Sequence, residues 1–297
     1  MLFKLRSAHC KRICTLCSNT AKENNKHGSL DLGVLPAILI GMAITMVGTM
    51  PRNILFFANL QYFNSVPWAV PLLAIYMWFF WRHLQGNGPP PETSALRRTL
   101  MRANPLSGIV WFWSLLAGTL GIVALVIGLR LANRMIALPE QTLPDIAQVP
   151  RFTMLALLLM SAPVAGIIEE IAFRGYMQKP IEEKYGLFVA ILITGTMFAV
   201  AHLDFTLVLW PYYVLVAAVY GTVTYLTKSI LAAVVLHTGG NIFSNFDLWL
   251  HGRAEWQTGS GSATVIWQSG AEQAFWMTGL FALAMTAMAV LAYIHLA

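Results

Sequence analysis

Charge is what this chain has least of. Of its 297 residues only 11% are Asp, Glu, Lys or Arg, while 57% are hydrophobic. Soluble domains carry about 25% charged residues, so there is too little polar surface to coat a water-soluble globule. Cysteine is scarce as well: the three present, Cys10, Cys14 and Cys17, fall within one basic tail. With His9 they could form a metal knot, but a free, reduced tail is the plainer reading. No apolar stretch of signal-peptide length precedes residue 32, so no cleaved secretory signal is expected. Three familiar hydrolase signatures are missing too. The sequence has no Ser-centred elbow, no His-Glu-x-x-His and no cysteine within an apolar run, which leaves the serine, zincin and thiol routes without support.

What is present is a series of long uncharged runs. A hydrocarbon core of about 30 Å needs roughly 20 apolar residues per helix. Such runs predict an all-α, polytopic transmembrane bundle of about eight helices, near 33–50, 66–81, 108–129, 152–178, 187–203, 207–226, 230–246 and 274–296. Breaker-rich loops separate them at 86–94 and 256–270. The net charge of +6 does not point to nucleic acid, because six of the 19 Lys and Arg lie in the first 32 residues and four more in one loop. That is how topology-setting loops are written. With eight spans and the N-terminus inside, the inner segments hold 13 Lys and Arg and the outer loops five. This bias places both termini in the cytoplasm.

Within the apolar runs the ionisable groups gather in three short segments. The first, GIIEEIAFRGY, carries Glu169, Glu170 and Arg174; the second, FAVAHLDF, carries Phe198 and His202; the third, LHTGGNIFSN, carries His237 and Asn241. A charge at the centre of a membrane helix costs about 2.5–3.5 kcal/mol on insertion scales. Three within six residues therefore need partners or water, and intramembrane charge is functional by default. Glu170 and Arg174 are four apart and share a helix face. Glu169 is turned about 100° from Glu170 and can face another neighbour. Glu169 and His202 are equidistant from a turn centred at Tyr185–Gly186, so an antiparallel hairpin brings them to one depth. A carboxylate, an imidazole and two further hydrogen-bond donors, His237 and Asn241, suit activation of water and stabilisation of an oxyanion. Taken alone, His237 reads as a satisfied bundle histidine and Phe198 as core. Glu182, Glu183 and Lys184 read as a solvated turn, and His251 and His295 as surface or helix-end residues.

Glu169-Glu170-x-x-x-Arg174 running into Gly175-Tyr176, then Phe198-x-x-x-His202, then His237-x-x-x-Asn241, resembles the three-motif signature of the CAAX-processing and bacteriocin-immunity (CPBP) family, which includes the type II CAAX prenyl endopeptidases. The resemblance covers about residues 150–246. It implies a basic cytoplasmic tail over 1–32, N-terminal transmembrane helices and loops over 33–150, a catalytic core over 151–246, and a loop with a last helix over 247–297. By the same resemblance Glu169 with His202 activates the attacking water, and His237 with Asn241 holds the oxyanion. Glu170 and Arg174 form a supporting ion pair, and Phe198 packs beneath the histidine. No cofactor is implied. Two departures stand out: Asp204 adds a titratable group close to His202, and Gly239-Gly240 is expected to loosen the third motif's helix.

Three readings remain open on the residues themselves. One is a glutamate-dependent endopeptidase acting on a membrane-associated peptide or protein. Another is a zinc metallopeptidase using Glu169, His202 and His237. The third is a non-enzymatic immunity factor, proton relay or transporter, although the inverted repeats common in transporters are not apparent. The expected partners are the lipid bilayer and a peptide or protein substrate. Short loops and a compact chain suggest a bacterial inner-membrane protein, whose substrate would be a peptide pheromone, a bacteriocin or a membrane protein.

Overall fold

In the computed structural model, which describes residues 33–138, 148–202, 209–252 and 264–297, every regular element is helical. The long helices are α1 (Val34–Gln61), α2 (Ala69–Leu84), α4 (Gly108–Met135), α5 (Arg151–Glu169), α6 (Gln178–Ala201), α7 (Trp210–Thr227), α8 (Leu231–His251) and α9 (Gln273–Leu296). The short α3 (Ser94–Met101) follows a 3₁₀ turn at Pro91–Thr93, and one further turn of helix lies at Ile266–Ser269. Between α5 and α6 the backbone runs as a π-helix over Glu170–Met177. Val34–Ala297 forms one compact unit.

Each expected span lies on a helix, with shifted ends. α1 continues eleven residues past the expected stop at 50, through Pro51. Its uncharged tail serves a purpose: buried Asn59 donates to the Val66 carbonyl and accepts from the Ala69 amide, both at 2.9 Å, tying α1 to the start of α2. Gly239 and Gly240 do not loosen their helix, since α8 runs unbroken through both.

The expectation of eight spans is met only in part. Among the described residues four helical stretches are long and apolar enough to cross a membrane: Val34–Gln61, Gly108–Met135, Arg151–Ala201 and Gln273–Leu296. α2, with 16 residues, rises only about 24 Å. α7 carries four tyrosines, and α8 carries two histidines, two asparagines and an aspartate; these lower the hydropathy of the helices that build the cavity described below. The 51-residue stretch Arg151–Ala201 is not one rod. At Gly186 the backbone leaves the helical region (φ 82°, ψ 167°), a conformation open to glycine because it has no Cβ. The Phe173 and Phe198 rings meet edge-on at 5.3 Å, although 25 helical residues would separate them by about 37 Å. The chain therefore doubles back at Gly186.

The core is formed where these arms meet α1, α7 and α8. Phe173, Met177, Ile181, Ala190, Phe198, Val223 and Ala233 are all buried there. α5 and α8 approach closely at Gly166, where an added Cβ would lie 2.9 Å from the Thr238 amide nitrogen. Glu182 is not the solvated group its sequence neighbourhood suggests. It is 5% exposed and pairs with Arg102, itself 5% exposed, while Glu183 and Lys179 form an i, i+4 pair. Tertiary packing of α3 against this turn supplies a partner that charge pattern alone does not reveal.

Candidate active site

The first and third motifs converge on one imidazole. His237, on α8, has Nδ1 2.8 Å from Glu170 Oε1 and Nε2 3.7 Å from Glu169 Oε2. The two adjacent carboxylates thus reach both nitrogens of the same ring, where sequence spacing led us to expect Glu169 to face a different neighbour. The π-helix begins at Glu170, immediately after Glu169. Such wider turns are rare and recur at functional sites.

Behind this ring lies the buried ion pair. Arg174 Nε is 3.3 Å from Glu170 Oε2, with both side chains fully buried. The terminal nitrogens of Arg174 have no hydrogen-bond partner, but its guanidinium sits 5.1 Å from the Phe198 ring, 5.3 Å from Tyr220 and 5.9 Å from Phe173. Three aromatic rings thus take the place of acceptors, an interaction that strengthens when water is excluded. Phe198, expected beneath a histidine, touches two: its ring is 4.5 Å from His202 and 6.0 Å from His237.

His202 caps the end of α6 and is exposed. Its Nδ1 lies 2.8 Å from the Phe198 carbonyl oxygen. A carbonyl only accepts, so Nδ1 carries the hydrogen and Nε2 keeps its lone pair. Glu169 and His202 are symmetric about the same centre as the touching pair Phe173 and Phe198, one helical turn further from the bend. Glu169 instead approaches His237 at 3.7 Å and lies within reach of the Arg52 charge.

A cavity of about 140 Å³ opens onto these groups, lined among others by His202, His237, Asn241, Tyr213 and Tyr220. Asn241 enters it one turn beyond His237, as its i, i+4 spacing requires. The two tyrosines were not singled out in the sequence. Tyr220 stacks on His237 at 5.1 Å and Tyr213 on His202 at 4.7 Å. Their seven-residue spacing, which places them on one face of α7, was the available signal, masked by an otherwise uncharged helix. Arg130, one of the five cations that the charge bias assigns to outer loops, lies on α4 and lines the same cavity; its buried Nε has no hydrogen-bond partner.

Among the described residues no three His, Cys, Asp or Glu side chains are disposed to hold a metal ion. The donor set Glu169, His202 and His237 therefore does not fit zinc. Cys10, Cys14, Cys17 and Asp204 lie outside the described residues. His251 pairs at 2.7 Å with Asp247, which lines the same cavity, and His295 stacks on Trp113 at 4.7 Å.

Residues 151–243 match the family described as Rce1-like, type II CAAX prenyl endopeptidase Rce1-like. Over that segment the chain is similar to that family. The match begins at the first residue of α5 and ends two residues beyond Asn241, so it contains all three motifs. The family is one of membrane proteases, in keeping with the apolar helices found here. No curated protein and no solved structure matches the chain.

Proposed function

We propose that this protein is a glutamate-dependent intramembrane endopeptidase that hydrolyses a peptide bond in a membrane-associated peptide or protein, as a CAAX-protease-like enzyme. The observation that carries the reading is the placement of Glu169 and Glu170 on the two nitrogens of His237, beside a cavity lined by His202 and Asn241. Glu169 Oε2 is buried and has no hydrogen-bond partner, as suits a base whose partner is a substrate water. In this reading Glu169 takes the proton of a water that His202 Nε2 helps to orient. The hydroxide attacks the scissile carbonyl, and His237, carrying a hydrogen on both ring nitrogens, donates through Nε2 together with Asn241 to the oxyanion. Glu170, neutralised by Arg174, fixes the His237 ring through Nδ1. Collapse of the intermediate returns the proton to the leaving amine, so water and peptide balance as acid and amine.

The finer expectations belong with this reading: eight spans, a cytoplasmic N-terminus, a bacterial inner membrane, and the division of the chain at 32, 150 and 246. The zinc alternative is not favoured by the donor geometry, and no observation favours a non-enzymatic immunity factor or transporter.

The test compares membranes containing the wild type with membranes containing Glu169→Gln, by mass spectrometry of newly formed termini. Glu169→Gln keeps the shape but cannot accept the proton, so cleavage falls at least about 100-fold while expression and detergent melting hold. Wild-type cleavage in that variant removes Glu169 as the base. The same membranes treated with a chelator retain activity; loss on chelation and recovery with zinc would establish the metallopeptidase instead.

A further inference from the structure

Apart from the cavity at His202 and His237, the bundle holds another of about 550 Å³, lined among others by Arg98, Arg102, Lys179 and Lys228 together with Glu182 and Glu183. Both acids are already engaged. Glu182 pairs with Arg102 and accepts from Gln178 Nε2 at 2.9 Å, and Glu183 pairs with Lys179. Among the described residues Arg98 and Lys228 have no carboxylate partner; Lys228 Nζ lies 3.7 Å over the Tyr225 ring. The cavity thus carries a surplus of two positive charges.

Its position says what kind of anion it fits. The walls come from the end of α3, the entry to α4, the first turn of α6, the end of α7 and the residue at its C-cap. These are helix ends, and basic pockets at the ends of apolar helices, where these leave the hydrocarbon, take phosphate-bearing headgroups. We propose that this cavity is a binding site for the headgroup of an anionic phospholipid, with Arg98 and Lys228 as the free cations that meet its phosphate.

The same wall is joined to the helices of the candidate active site. The Arg102 carbonyl accepts from the Ile230 amide at 3.1 Å, at the entry to α8 and His237. The Arg102 guanidinium donates to the Arg174 carbonyl at 3.5 Å. Burial pulls the Arg102 pKa below its ordinary value while the Glu182 charge opposes that shift, and the pair keeps the wall in place. A headgroup seated here therefore braces the junction of α3, the π-helix and α8.

Thermal unfolding of the full chain in nanodiscs tests this directly. Discs of phosphatidylcholine are compared with discs containing increasing phosphatidylglycerol, and the phosphatidylcholine sample is repeated with inorganic phosphate. The expected result is a rise in Tm of several degrees with phosphatidylglycerol, absent with inorganic phosphate. In Arg98→Gln/Lys228→Gln the rise disappears or needs at least about ten-fold more lipid, while Tm in phosphatidylcholine is unchanged. Arg98→Lys/Lys228→Arg keeps the charge and keeps the response. A response that survives the double glutamine variant overturns the site, as does equal stability in the two lipids. Equal stabilisation by inorganic phosphate makes the ligand a free anion and overturns the lipid assignment.

Discussion

Two residues separate chemistry from support in this site. Arg174 and Glu170 are both fully buried, and removing one member of a buried pair costs about 3–5 kcal/mol because the other charge is stranded. Arg174→Ala also removes the cation from between three aromatic rings, so both detergent Tm and turnover should fall. Unchanged melting would mean the ion pair contributes nothing to the fold. Asn241→Ala behaves differently. An oxyanion donor acts only after attack, so its loss should lower single-turnover cleavage about 100- to 1,000-fold with little change in substrate affinity. Weakened binding with normal turnover would make Asn241 a recognition residue. The identities of these groups were legible in the sequence because ionisable side chains are costly in apolar runs and three short segments hold most of them. Their pairing was less legible. Spacing along α5 and the π-helix cannot show that Glu169 and Glu170 approach opposite nitrogens of His237, since that depends on the placement of α8.

At the scale of elements, the distance between α5 and α8 sets how His237 meets the two carboxylates. Gly166 keeps that distance short: its added Cβ would lie 2.9 Å from the Thr238 nitrogen and nearer still to the Thr238 hydroxyl. Gly→Ala in a helix gains roughly 0.5–1 kcal/mol of propensity, whereas overpacking costs about 1–3 kcal/mol, so the steric loss wins. Gly166→Ala should lower both Tm and turnover. Gly239→Ala, whose Cβ would meet nothing within 4 Å, should be neutral or slightly stabilising in the same melts. A stabilised Gly166→Ala would show that α5 and α8 separate without loss. The doubling back at Gly186 was legible from the symmetry of the first two motifs. The π-helix was not, because a change from i, i+4 to i, i+5 bonding leaves no mark in a run whose residues are nearly all buried.

For the whole molecule, the apolar composition identified a membrane bundle, but among the described residues hydropathy alone supports four apolar stretches, one of them the doubled-back pair α5 and α6, against eight expected crossings. The shortfall has a physical cause. α7 and α8 give part of their apolar character to the tyrosines, histidines and asparagine that line the cavity, and α2 is short for a core of about 30 Å. In the eight-pass reading, local thinning of the bilayer, which costs only fractions of a kcal/mol per Å, would accommodate α2. The eight-pass reading then makes a positional prediction, because each crossing exchanges the side on which the next loop emerges. Ser65 and Asn87 flank α2, Tyr185 adjoins the bend at Gly186, and Gln268 precedes α9; all four are exposed. In a chain with Cys10, Cys14 and Cys17 replaced by serine, single cysteines at these positions can be labelled with a membrane-impermeant maleimide in intact cells. With both termini in the cytoplasm, Ser65→Cys and Gln268→Cys should react from outside, and Asn87→Cys and Tyr185→Cys only after the membrane is opened. The reverse pattern would invert the orientation while keeping eight crossings. Ser65→Cys and Asn87→Cys reacting from the same side would show that α2 does not cross, and the count of eight would fall with it.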